Sequence, residues 1–127
     1  MKKAELWLDD GQGRITCTAC IKRCRIQRDR TGVCQTRENK DGVLYSLTYG
    51  QISYAAVDPI EKKPLFHFYP GTQVYSVGGW GCNFGCGMCQ NHDIAHVMPN
   101  LKQDTEVSPE KIVKSALETG SRGVAFT

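Results

Sequence analysis

Short stretches in which apolar and polar residues alternate predict half-buried strands in the first part of the chain. The clearest stretch is residues 43–49, whose apolar face consists of Val43, Tyr45, Leu47 and Tyr49. Gly50-Gln51 then offers a two-residue turn before another strand-like run at 52–57. An earlier glycine-rich turn separates two further strand-like runs. We therefore predict a small antiparallel sheet within residues 1–57.

The last part of the chain has a strand–helix–strand pattern. Residues 74–77 form a short strand-like run, and residues 123–127 begin another strand. Between them, Ser108 is suited to cap a helix, Pro109 to its first position and Gly120 to its end. The apolar stripe of this helix consists of Ile112, Val113, Ala116 and Leu117. We therefore predict a βαβ unit with parallel strands.

Residues 58–73 contain three prolines and separate these two parts. Proline cannot donate a hydrogen bond to a sheet or continue a helix, so this stretch predicts an ordered connector. Lys62 and Lys63 within it are candidates to bind a carboxylate or a phosphate, although solvated loop lysines are the simpler interpretation. The predicted organisation is therefore residues 1–57, a connector at 58–73, and residues 74–127.

Length and composition suit one modest domain, or a small unit joined to part of a larger one, because the chain has 127 residues of which 40% are hydrophobic. The net charge of +3 is too small to indicate a partner. The apolar run ending at Leu8 is too short for a signal peptide or a membrane span. We therefore expect a cytoplasmic protein with no membrane partner, in which clustered cysteines favour metal over disulfides.

Three cysteines follow the first strand of the strand–helix–strand segment. Cys82, Cys86 and Cys89 have the spacing Cys-x3-Cys-x2-Cys in a glycine-rich loop. Three thiolates can hold three irons of a [4Fe–4S] cube and leave the fourth iron without a protein ligand. Since electron-transfer clusters have four protein ligands, the open iron indicates a bound substrate or cofactor.

Two other interpretations of this loop carry less weight. Three cysteines cannot all form disulfides with one another, and such short loops strain a disulfide. A zinc site of Cys86 and Cys89 with His92 and His96 would have an unusually short gap between its two pairs, and it would leave Cys82 unexplained. His92 or His96 is also a candidate proton donor, although a loop histidine without such a role is the simpler interpretation.

The cysteine spacing resembles the signature of radical S-adenosylmethionine (SAM) enzymes. Residues 58–71 read Asp-Pro-Ile-Glu-Lys-Lys-Pro-Leu-Phe-His-Phe-Tyr-Pro-Gly, residues 81–84 read Gly-Cys-Asn-Phe, and residues 89–91 read Cys-Gln-Asn. Together these segments resemble the radical SAM enzymes of the AmmeMemoRadiSam system, which are relatives of the pyruvate formate-lyase activating enzymes. The resemblance covers nearly the whole chain.

This resemblance implies both a fold and an activity. The fold class is α/β (α+β overall), in which residues 74–127 are the first βαβ unit of a partial (β/α) barrel with its active site at the C-terminal ends of strands. SAM binds the open iron and is cleaved reductively to methionine and a 5′-deoxyadenosyl radical. An electron donor protein and a protein substrate are the implied partners, and no catalytic residue is identified. Met88 stands where the family often has an aromatic residue against adenine, and its thioether can fill the same space.

A second group of cysteines lies near the start of the chain. Its members are Cys17, Cys20, Cys24 and Cys34. Four thiolates suit a structural zinc ion, a second [4Fe–4S] cluster stays open, and two disulfides are not expected in the cytoplasm. The basic residues around this group are Lys22, Arg23, Arg25, Arg28, Arg30 and Arg37. Charge balance explains them better than nucleic-acid binding, since no aromatic residue lies among them for base stacking.

The alternative function is a zinc-stabilised binding or adaptor module, including a nucleic-acid-binding one, that uses both cysteine groups structurally. The resemblance also implies later strands that this sequence does not contain after its apolar end at 123–127. We therefore expect the chain to be a fragment that takes up a cluster without productive SAM cleavage. The sequence does not indicate the physiological substrate.

Overall fold

Short strands paired mainly in antiparallel fashion make up most of the regular structure. The computed structural model describes residues 1–96 and 106–127. The strands are β1 (Lys2–Lys3), β2 (Trp7–Gly11), β3 (Arg14–Cys17), β4 (Arg25–Ile26), β5 (Arg30–Thr31), β6 (Arg37–Lys40), β7 (Val43–Ser46), β8 (Tyr54–Pro59), β9 (Gln73–Gly78) and β10 (Val124–Phe126). The helices are a 3-10 turn (Ile60–Lys62), α1 (His92–Ala95) and α2 (Pro109–Glu118). The predicted mixture of helix and strand, with a small antiparallel sheet near the start, is confirmed.

The described residues fall into two compact units. One contains residues 1–49 with 80–96, and the other contains residues 50–79 with 106–127. The predicted boundary at residue 57 falls inside the second of these units. The stretch 58–73 is also more regular than a connector, because it begins in β8 and contains the 3-10 turn.

The first unit contains two antiparallel sheets, with strand orders β2-β3-β4 and β1-β7-β6-β5. Its core consists of Ile15, Cys17, Ile26 and Leu44. Leu44 is fully buried, whereas Val43 and Tyr45 are only half-buried. The alternating pattern therefore identified the strand β7 but assigned the core to the wrong face, because the contact with Ile15 and Ile26 falls on the other side.

A buried asparagine on β6 joins the two sheets of this unit. The Asn39 side-chain amide donates to the carbonyls of Gly13 at 2.8 Å and Ile26 at 2.9 Å, and its oxygen accepts from the Gly42 N–H at 2.9 Å. Burial of an amide is tolerated where its hydrogen bonds are made, as they are here. Asn39 thus fixes the turn before β3 and the end of β4 against β6.

The second unit is a three-stranded sheet of order β10-β9-β8 with α2 connecting β9 to β10. β10 pairs with β9 in parallel, as predicted for a βαβ unit. β8 pairs with β9 in antiparallel fashion from Tyr54–Gly78 to Pro59–Gln73. The hairpin predicted at Gly50-Gln51 is therefore not formed, because β9 supplies the hydrogen-bonding partner that β7 was expected to give.

The ends of α2 agree with the sequence prediction, but its apolar stripe does so only in part. The Ser108 hydroxyl accepts from the Lys111 N–H at 3.3 Å, and Gly120 follows the helix with φ +67°. Ala116 is buried and Ile112 half-buried, whereas Val113 and Leu117 are 53% and 73% exposed. Only half of the predicted stripe therefore packs within the described residues.

A buried carboxylate holds the start of the proline-rich stretch. Asp58 accepts hydrogen bonds from Lys62 Nζ at 2.8 Å and Lys63 Nζ at 3.2 Å. It also accepts one at 2.7 Å from the hydroxyl of Ser76, which is fully buried on β9. The hydrogen bonds from Lys62, then Ser76 and Lys63, hold the pKa of Asp58 well below its ordinary value. Both lysines therefore bind a carboxylate of their own chain.

Replacing Asp58→Asn should lower the free energy of unfolding at neutral pH, because two lysines and a buried hydroxyl lose a charged acceptor. The folded-state pKa of Asp58 lies below its ordinary value of 3.8. Its stabilising contribution is therefore complete above that pH and is lost as the pH falls below it. The difference between wild type and variant in urea unfolding should shrink on acidification. Glu118→Gln is the control, since its pair with Lys114 is exposed. Equal stability of Asp58→Asn and wild type at neutral pH would contradict this account.

Candidate functional site

The loop that carries the second cysteine group has little regular structure of its own. It follows β9 along the chain and ends at α1. Cys82 and Cys89 are half-buried, Cys86 is exposed, and all three thiols are free. The Phe84 N–H donates to Cys82 Sγ at 3.4 Å. The Cys89 N–H donates to the Cys86 carbonyl at 3.3 Å, a second hydrogen bond within the loop.

Gly81 fixes the start of this loop against the first cysteine group. Its N–H donates to the carbonyl of Ile94 in α1 at 2.8 Å, and its φ is +82°. A Cβ at this position would lie 2.8 Å from the carbonyl oxygen of Cys34 and would clash with the Thr36 methyl. Glycine is therefore required both by the backbone conformation and by the space. Cys82, the next residue, is held beside the turn that carries Cys34.

Cys82 lines two cavities together with cysteines of the first group. A cavity of about 260 Å³ is lined by all four cysteines of the first group and by Cys82. A second cavity, of about 330 Å³, is lined by Cys34 and Cys82 together with Lys22, Phe84 and His96. From the sequence we predicted two separate groups. No signal in the sequence indicates that Cys82 and the first group share a cavity.

Apart from His96, the other predicted site residues line neither cavity; these are Cys86, Cys89, Met88 and His92. Met88 is 94% exposed. His92 Nε2 lies 2.7 Å from Asp93 Oδ1 in an exposed pair, while His96 lines the second cavity. Within residues 1–96 and 106–127, no three Cys, His, Asp or Glu side chains are arranged as a metal-binding group. Neither cysteine group therefore has metal-ligand geometry. The same holds for the zinc set considered from the sequence, Cys86, Cys89, His92 and His96.

Comparison with known proteins gives one relative of unassigned function. A protein of Methanocaldococcus jannaschii, described only as uncharacterized, is 45% identical over 120 residues. The match covers 94% of this chain and 35% of that protein, so the chain spans about a third of the length of its relative. No protein-family model matches the chain, and no solved structure matches it significantly.

Among the described residues, no helix has both the length and the apolar character needed to cross a membrane.

We predict that Gly81→Ala disturbs this site. An alanine at φ +82° is strained, which costs about 1–3 kcal/mol before the clash with Cys34 and Thr36 is added. The variant should unfold at lower urea concentration and expose Cys82 to faster alkylation. Gly85→Ala is the matched control, because a Cβ there would meet nothing within 4 Å. Equal effects of the two substitutions would show that Gly81 does not hold the loop.

Proposed function

We propose that this chain is the cluster-binding portion of a radical SAM enzyme. The observation that carries the proposal is the loop of three free thiols, Cys82, Cys86 and Cys89, which follows directly on β9. The parallel pairing of β9 with β10 across α2 supports it, because radical SAM barrels are built from such units. Productive chemistry belongs to the longer protein, since the chain spans only about a third of its relative.

The donor set fits a [4Fe–4S] cluster with one open iron. Thiolates are the ligands that such clusters use, and three thiols on one loop leave one iron free. Cys82, Cys86 and Cys89 would hold the cluster, which requires the backbone between Gly81 and α1 to bring their thiols together. The N–H of Phe84 already donates to Cys82 Sγ, an interaction that tunes a ligand when the thiolate binds iron.

When bound, the cluster supplies the electron that cleaves SAM reductively and so generates an organic radical. The contribution of this chain is to bind the cluster and to orient SAM beside it. Met88 lies between Cys86 and Cys89 in the sequence and is 94% exposed, so its thioether is available to contact the adenine of SAM. Phe84, whose ring lies 5.7 Å from Lys22 Nζ, lines the second cavity together with Cys82.

The proposed partners are SAM, an electron donor protein and a protein substrate. The donor must deliver one electron to the loop, and the three cysteines are exposed or half-buried, which leaves them within reach of a docked protein. A protein substrate is proposed from the resemblance to activating enzymes.

Anaerobic reconstitution with iron and sulfide should load about four irons on the loop cysteines of each chain. Replacing all three with alanine should remove that iron and the matching sulfide, because no thiolate is left to hold it. Met88→Leu should keep the iron, since Met88 is no ligand, and Met88→Ala should weaken SAM binding with iron unchanged. Full iron and sulfide in the triple alanine variant would exclude this site.

A further inference from the structure

Two tight turns present the first cysteine group. The Cys17 N–H donates to the Cys24 carbonyl at 2.9 Å, and the Arg23 N–H donates to the Cys20 carbonyl at 3.2 Å. Cys17 therefore ends β3, and Cys20 and Cys24 lie on the closed turn that joins β3 to β4. The fourth, Cys34, lies on another turn, closed by the Gln35 N–H donating to the Gly32 carbonyl at 2.9 Å. All four line the same cavity, so two separate turns contribute to one candidate site.

The surroundings of this cavity suit a small cation held by sulfur. Cys17 is only 6% exposed. A Cβ on Gly32 would lie 3.6 Å from Cys24 Sγ, so this glycine leaves room beside the thiol. Four thiolates around one divalent ion carry two net negative charges, and Arg37 lines the same cavity with a permanent positive charge.

We propose that Cys17, Cys20, Cys24 and Cys34 bind one Zn²⁺ ion in a closed, redox-inert site. Each thiol releases its proton to solvent as its zinc–sulfur bond forms, so no oxidant or reductant is needed. The four thiols line one cavity without metal-ligand geometry, and the ion draws the two turns together. Binding is thereby coupled to ordering of both turns.

Zinc at this site also fixes the neighbouring loop. Cys34 is one of the proposed ligands. Its carbonyl oxygen packs so close to Gly81 that a Cβ on Gly81 would lie 2.8 Å from it. Holding Cys34 therefore holds the surface against which Gly81 packs, and Gly81 precedes Cys82. The zinc site is thus a clamp for the start of the second cysteine loop. Its consequence for cluster uptake rests on the proposed function, whereas zinc binding itself does not.

Metal analysis of the whole chain tests the site. Protein prepared anaerobically, loaded with Zn²⁺ alone and then desalted should retain about one zinc per chain. Cys24→Ser and Cys34→Ser should each lose most of it. Cys86→Ser is the matched control, since Cys86 is exposed and does not line the cavity, and it should keep the zinc. Zinc retention in Cys24→Ser and Cys34→Ser equal to that in Cys86→Ser would overturn the proposal.

A measurement on the unaltered chain keeps the proposal testable if the variants fail to fold. Zn²⁺ should slow alkylation of Cys17, Cys20, Cys24 and Cys34, read by mass spectrometry, while Cys86 and Cys89 stay reactive. If zinc left the alkylation of all seven cysteines unchanged, the site would be overturned. Zinc retention and alkylation are both measured before any iron is added. A negative result in these two measurements therefore leaves the cluster proposal standing, and a failure to load the cluster leaves the zinc result intact.

Discussion

Gly81 lies against the carbonyl of Cys34 and the methyl of Thr36, and it does so because it has no side chain and takes a positive φ. Its N–H is bound to the Ile94 carbonyl at the far end of the same loop. These contacts fix the loop of Cys82, Cys86 and Cys89 at its beginning and join its two ends. Between them the backbone has little regular structure.

The chemistry of the site follows from this arrangement. Cys82 is held beside the first cysteine group, and five thiols line one cavity. Cys86 and Cys89 lie farther along the loop. In the two proposals, four thiols bind zinc in a closed site, and the other three bind an iron–sulfur cluster that has one open iron. The closed set would serve to position, and the open set would leave one iron for a reacting ligand.

The sequence predicted the elements whose signals are local. Ser108, Pro109 and Gly120 marked the ends of α2, and the strand-like run at 74–77 marked β9. The pairing of β8 was mispredicted because a strand's partner depends on contacts distant in sequence, and Gly50-Gln51 resembled a hairpin turn. The buried face of β7 was misassigned because Leu44 and its neighbours are all apolar, so that alternation alone could not choose the face that meets Ile15 and Ile26.

The candidate site was predictable only where its signals are local in the sequence. Cysteine spacing within each group is a local signal, whereas the approach of Gly81 to Cys34 joins residues far apart in the chain. The sequence predicted Lys62 and Lys63 as candidates to bind a carboxylate or a phosphate. Their acceptor, Asp58, lies only a few residues away, and a spacing of four and five residues was the signal that could have identified it.

The most direct test of the central claim is Mössbauer spectroscopy of the chain reconstituted anaerobically with enriched iron, recorded before and after addition of SAM. An open-iron cluster on Cys82, Cys86 and Cys89 predicts a cubane signal in which a single iron site changes when SAM is added. A chain that takes up no cubane, or one whose iron signal is the same with and without SAM, would contradict the account.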